Sequence, residues 1–232
     1  MTRLYLFAEG QTEQTFATNI LKPHLAKMGV YLFGPILIAS GKSKHGKTPR
    51  GGGRQYMPMR KDIQIKLAED KSPDMFVTTM IDLYALPAKF PGWEEAEKLR
   101  HVPPKRVEAF ERAFADDIGD VRFIPYIQLH EYEAYLFSDP TWFRYYYPGH
   151  EKEIAQLKAI SEKALPEEIN EGEHTSPSKR IIKEFPTYER AKPVEGSGVA
   201  ELIGLDIIRS KCPHFSAWLS KLEQLGTGVS RP

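Results

Sequence analysis

Apolar positions along this chain recur with two different periods. Leu4-Tyr5-Leu6-Phe7-Ala8 is an unbroken apolar run that stops at Glu9-Gly10, which predicts a buried central strand feeding a tight turn. From there the period lengthens. Phe16, Ile20, Leu21, Leu25 and Met28 mark one face of a helix, with Thr12 as its expected cap, Glu13 in its first turn and Pro23 expected to kink or split it. Gly29 closes that helix, and residues 30–39 read as a second strand with a bulge or bend at Gly34-Pro35. Residues 59–70 form an amphipathic helix with Ile63, Leu67 and Ala68 inward, and residues 75–81 a third strand that ends at Asp82. Pro87 and Pro91 frame a loop anchored by Trp93. Val107, Phe110, Phe114 and Ile118 then predict a helix over 105–118. The fourth strand, 121–129, ends at His130-Glu131-Tyr132-Glu133, and Pro125 inside it argues for an edge position or a local irregularity.

Strands alternating with helical crossovers predict an α/β fold with a mainly parallel four-stranded sheet flanked by helices. Every carboxyl end then lies along one edge, where open α/β sheets bind ligands. Beyond Pro140 the strand pattern is lost. Residues 1–140 are accordingly read as the α/β domain and 141–232 as a helical extension packed on it, with helices over 151–165, 199–208 and 213–225 and a helix start at 175–180. The aromatic cluster at 141–147 reads as core or docking surface, the tail at 226–232 as frayed. Cys212 and His214 read as core and cap residues, because side chains so close in sequence seldom face each other.

Composition narrows the class without naming a partner. Apolar residues make up 41% and charged residues 27%, and 32 basic residues nearly balance 31 acidic ones, as in a soluble globular protein. A single cysteine excludes a disulfide framework and a cysteine zinc cluster, and fits a reducing cytoplasm. No run approaches a membrane span, and the first residues lack a signal-peptide pattern. Distribution is more informative than the total. Residues 40–56 hold five Lys or Arg, five Gly and no acid, a segment that reads as a loop; Lys42, Lys44, Lys47, Arg50 and Arg54 suit contacts to a phosphate backbone. The competing reading is a solvated linker.

Glu9, Asp82 and Glu131 close three different predicted strands and are expected to converge. Carboxylates so gathered repel unless a cation compensates, and a hard divalent ion such as Mg²⁺ or Mn²⁺, with Glu9, Asp82, Glu131 and Glu133 as ligands, is the common solution. Such an ion suits phosphodiester hydrolysis or another phosphoryl transfer. Taken singly, Asp82 also reads as a turn residue, Glu131 and Glu133 as first-turn acids, and His130 as structural. Lys179, Arg180 and Lys192 are candidates for phosphate contacts, against a solvated helix face.

Glu9-Gly10-Gln11-Thr12-Glu13, Ile81-Asp82-Leu83-Tyr84, His130-Glu131-Tyr132-Glu133-Ala134 and Thr175-Ser176-Pro177-Ser178-Lys179-Arg180 resemble a prokaryotic family of TOPRIM-like proteins bearing a domain of unknown function, related to the TOPRIM domains of OLD-type nucleases. The resemblance implies a nuclease acting on DNA or RNA, with Glu9, Glu13, Asp82 and Glu131 catalytic, and a defence effector that works with an ATPase partner. One departure stands out: Tyr84 occupies the place of the second Asp of the family's Asp-x-Asp pair. That departure keeps open an inactive adaptor binding a partner protein or nucleic acid. A phosphatase or nucleotidyl transferase would use the same acids, and a homo-oligomer is compatible with all of these readings.

Overall fold

The computed structural model describes residues 1–38, 56–170 and 175–227. The chain is α/β, with a mostly parallel sheet flanked by helices. Strands β1 (Thr2–Ala8), β2 (Val30–Leu37), β3 (Met75–Asp82), β4 (Phe123–Ile124) and β5 (Ile127–Gln128) are ordered β2-β1-β3-β4, with β5 also on β3. Each described pairing is parallel. The register on β1 slips between Tyr5↔Phe33 and Phe7↔Ile36, which places the expected bulge at Gly34-Pro35.

The fourth strand is split by Pro125, which has no N–H for the ladder. Thr79 repairs the gap: its hydroxyl accepts from Tyr126 N–H at 2.9 Å and donates to Tyr126 C=O at 3.0 Å. The first helix is also composite. It runs as α1 (Gln11–Phe16), a π turn (Ala17–Leu21) and α2 (Lys22–Lys27). Pro23 cannot donate to Asn19 C=O, and the turn before it widens. Thr12 is not its cap; Gly10 is, and Glu13 Oε2 reaches back to accept Gly10 N–H at 2.7 Å.

Helices α3 (Tyr56–Glu69), α4 (Trp93–Lys98) and α5 (Pro103–Ile118) cover one face of the sheet through a core containing Phe7, Val77, Ile81, Phe110 and Phe114. Leu4, Leu6 and Ala8 point to the other face, as the alternation of a strand requires. There they meet α1 and α2, a run of 3₁₀ turns (Tyr132–Ser138, Pro140–Tyr145), and the later helices α6 (Glu151–Ser161), α7 (Pro177–Glu184), α8 (Tyr188–Ala191), α9 (Ser197–Ile203), α10 (Leu205–Lys211) and α11 (Pro213–Gln224). The helix expected at 199–208 is broken by Gly204, at φ 84°. A π turn, Lys192–Gly196, joins α8 to α9. Phe143 of the aromatic cluster is buried and stacks on Phe185 with centroids 5.5 Å apart. Among the described residues no helix is long and apolar enough to cross a membrane.

Candidate functional site

The carboxyl ends of β1 and β3 lie side by side. Glu9 follows β1, and its Oε2 accepts the Asp82 N–H at 2.7 Å, so the acid that ends one strand fixes the backbone that ends the next. One turn into α1, Glu13 is buried. Burial, then the neighbouring Glu9, pushes its carboxyl up to about 7, against the Gly10 N–H that favours the charged form.

Asp82 carries the strongest electrostatic signature. Its Oδ1 is buried and makes no hydrogen bond among the described residues. Burial first, then Glu9, Glu13, Glu133 and Glu131, raises its carboxyl well above the ordinary range. Four other carboxylates therefore act on Asp82. They are not drawn onto a single point: among the described residues, no three His, Cys, Asp or Glu side chains form a group able to hold a metal ion.

Glu131 and Glu133 arrive from the segment after β5. Glu131 serves a role that the sequence did not show. Its Oε1 accepts Ser178 N–H at 2.5 Å and its Oε2 accepts the Ser178 hydroxyl at 3.0 Å, which caps the start of α7 from a distance. Glu133 is buried and meets Lys192 Nζ at 3.1 Å. Burial raises the Glu133 carboxyl and Glu131 adds to it, while Lys192 pulls it down. Burial works against the Lys192 ammonium too, but Glu133, Glu131 and Asp82 outweigh it and its pKa is raised. Lys192 is thus a cation of the acid cluster among the described residues.

The other expected phosphate contacts are placed differently. Lys179 is exposed on α7, and Arg180 Nε donates to Thr175 C=O at 2.6 Å. Lys42, Lys44, Lys47, Arg50 and Arg54 lie outside the described residues, as does most of the tail. Tyr84 is exposed, its ring 5.5 Å from that of His130, and partial burial followed by Glu131 raises its phenol to about 12. His130 takes a left-handed backbone, φ 67°, unusual for a residue with a Cβ. Its ring is buried, with Nδ1 3.3 Å from Asn170 Nδ2, and burial then Arg106 lower its pKa to about 4. A neutral structural imidazole is the result.

Two tyrosines complete the site and were missed in sequence. Tyr132 and Tyr188 are fully buried, and burial followed by Glu13 or Glu133 holds both phenols well above their usual range, so both keep their protons. Nothing in their spacing marks them. Cys212 and His214, in contrast, face different partners: Cys212 Sγ lies 3.7 Å from Ser138 Oγ and His214 Nε2 2.9 Å from Glu111.

A protein-family model described as a domain of unknown function, DUF4276, matches residues 8–223. No curated protein matches the sequence. Among solved structures, the chain is similar to the C-terminal region of the Burkholderia pseudomallei OLD protein, at 16% identity and a TM-score of 0.46, covering 99% of this chain and 100% of that one. Two structures of the C-terminal region of the Xanthomonas campestris pv. campestris OLD protein match at 13% and 12% identity with TM-scores of 0.42 and 0.43, each covering 98% of this chain and 97% of the other. At such identities and scores the likeness bears on no residue of the site.

Proposed function

Because this chain belongs to the DUF4276 family, whose description states no activity, its function has to come from its own residues, and we propose a divalent-metal-dependent nuclease of TOPRIM-like type. The observation that carries the proposal is Asp82 Oδ1, a buried carboxylate oxygen without a hydrogen-bond partner among the described residues, set amid Glu9, Glu13, Glu131 and Glu133. A buried polar oxygen without a partner is costly, and an all-oxygen, acidic donor set is the chemistry that hard divalent ions select. To hold Mg²⁺ or Mn²⁺, Glu9, Asp82, Glu131 and Glu133 would have to draw together from the separate positions they take here, Glu131 leaving Ser178 and Glu133 leaving Lys192. When bound, the ion supplies charge for a phosphoryl oxygen and acidifies a water.

The remaining roles fall to the chain itself. Lys192, 3.1 Å from Glu133, presents the positive charge that a phosphate diester requires at its reacting centre. Glu13, tethered to Gly10 N–H beside Glu9, is placed to take or return a proton. DNA and RNA are both compatible with this arrangement, and a defence role alongside an ATPase partner belongs to the same proposal.

Cleavage of DNA and RNA with added Mn²⁺, read together with calorimetric Mn²⁺ binding, tests the site. Glu9→Gln and Asp82→Asn are each expected to lower cleavage by at least about 100-fold and to weaken Mn²⁺ binding. Unchanged activity in both variants overturns the assignment. The second reading, an inactive adaptor, is favoured by Tyr84 in the second acid position and by the dispersal of the carboxylates. Wild-type protein that binds no Mn²⁺ but retains nucleic acid or a partner protein would establish it.

A further inference from the structure

An open groove of about 490 Å³ is walled by α1 and the turn that follows it on one side and by the Lys192–Gly196 turn and α9 on the other. This volume falls in the range of small-ligand sites. The two walls are the elements that carry Glu13 and Lys192 into the acid cluster. Gly196 lies between: a Cβ there would sit 3.6 Å from Thr12 and 3.7 Å from Tyr132. A molecule seated in the groove therefore touches the two elements that carry Glu13 and Lys192.

Among the described residues the lining contains the carboxylate of Glu201 and no Lys, Arg or His, which disfavours an anion in this part of the groove. What it offers is an amide-rich edge and a flat apolar platform. Gln11 on α1 and Asn19 on the π turn that follows it are exposed amides, able to donate and accept. Gln14 donates its amide N–H to Pro35 C=O at 2.9 Å, which fixes the direction of its own carbonyl oxygen. Opposite, Pro193 and Val194 form an apolar surface, with Val194 69% exposed. Tyr146 closes one end against Gly198, where a Cβ would come within 2.0 Å of the phenol oxygen. Only glycine permits that approach. Burial, followed by Tyr145, Glu195 and Glu201, raises the Tyr146 pKa, so the phenol stays a donor.

An uncharged group with donors and acceptors around its rim and an apolar face fits this combination, and bases outside a duplex are read by amide hydrogen bonds to their edges and by packing on aromatic rings such as that of Tyr146. We infer that the groove between α1 and the Lys192–Gly196 turn is a nucleobase subsite, which holds a base flanking the phosphate under attack. The inference rests on the nuclease reading for its substrate and on the groove alone for its chemistry.

The test separates the two. The full chain, held in chelator, is titrated with the four ribonucleosides, the four deoxynucleosides and the base-free sugars ribose and deoxyribose, with contacts read by saturation-transfer NMR. At least one nucleoside is expected to bind through its base protons, and the sugars at least about tenfold more weakly. Asn19→Trp, which fills the groove from an exposed position, and Gln11→Ala, which only removes an amide, are each expected to weaken that binding, the first by tenfold or more. Equal binding of sugars and nucleosides, no nucleoside binding, or binding indifferent to both variants overturns the subsite. Metal-dependent cleavage without nucleoside binding would remove the subsite and leave the nuclease standing. Nucleoside binding without cleavage would do the reverse.

Discussion

At the scale of single residues, the site is held by close approaches that leave no room for change. Gly196 has helical φ −62°, so no backbone strain demands glycine there, and alanine in a helix is ordinarily favoured by about 1 kcal/mol. Space decides the other way. A Cβ would lie 2.7 Å from Tyr188 Oη, and the ring is fully buried and cannot swing clear. Gly196→Ala is therefore expected to destabilise by about 1–3 kcal/mol. Tyr188 Oη makes no hydrogen bond among the described residues, so Tyr188→Phe removes an unsatisfied group and is expected to be close to neutral. In that background the sign should cross over, with Gly196→Ala becoming neutral or mildly stabilising. Urea midpoints of the two single variants and the double variant measure this, and equal losses in both backgrounds would show that the phenol is not the obstacle.

At the scale of elements, the strands were legible where one physical effect dominated. β1 from Leu4 to Ala8 is a continuous apolar run and β3 is apolar but for Thr78 and Thr79, because both faces of the sheet are covered, and their acidic ends stood out for that reason. Pro125 announced the break in the fourth strand, but not the Thr79 hydroxyl that mends it. The break at Gly204 was hidden because apolar periodicity continues across it, and Glu131's cap on α7 was hidden because 47 residues separate it from Ser178. The attachment of α11 was equally invisible. Glu167 accepts His214 N–H and Phe215 N–H, both at 2.9 Å, at the start of that helix. His214 Nε2 lies 2.9 Å from Glu111 on α5, and its ring stacks on Tyr126 at 5.2 Å. Burial opposes the imidazolium, but Glu111 and Glu167 prevail and raise the His214 pKa. A raised folded pKa means that the folded state holds a proton the unfolded state has released. Its stabilisation is complete below about 6.5 and is lost as pH rises through the folded value. Burial raises the Glu167 carboxyl, which acts in the same direction at lower pH. Thermal midpoints of the wild type are thus expected to fall more steeply than those of His214→Asn as pH rises above 6.5. Parallel curves would sever this link between α5 and α11.

At the scale of the whole molecule, the sheet is the middle layer of three, and its two faces are covered by different parts of the chain. One face is closed by α3, α4 and α5, all encoded before residue 120. The other depends on what comes later: Leu4, Leu6, Phe16 and Leu25 share one core with Phe143, Leu157, Ile181, Val199, Phe215 and Trp218. Polar contacts tie the same layers, since Trp218 Nε1 donates to Thr78 Oγ1 at 2.9 Å, and Ser178 and Lys192 reach back to Glu131 and Glu133. A sheet whose second face keeps only α1, α2 and the Tyr132–Ser138 turn for cover leaves much of that core open. A chain ending at residue 140 is therefore expected to lose cooperative unfolding and near-ultraviolet dichroism, whereas the full chain should unfold in one transition. The acid cluster should suffer with it, because Lys192 is no longer present to offset Glu133, and buried carboxylates without a counter-charge repel. Urea titrations of the two chains, followed by tryptophan fluorescence and by far-ultraviolet dichroism, decide the matter. Coincident, sigmoidal transitions in the shortened chain would mean that the first 140 residues close their own core, and that the later helices are a detachable cover.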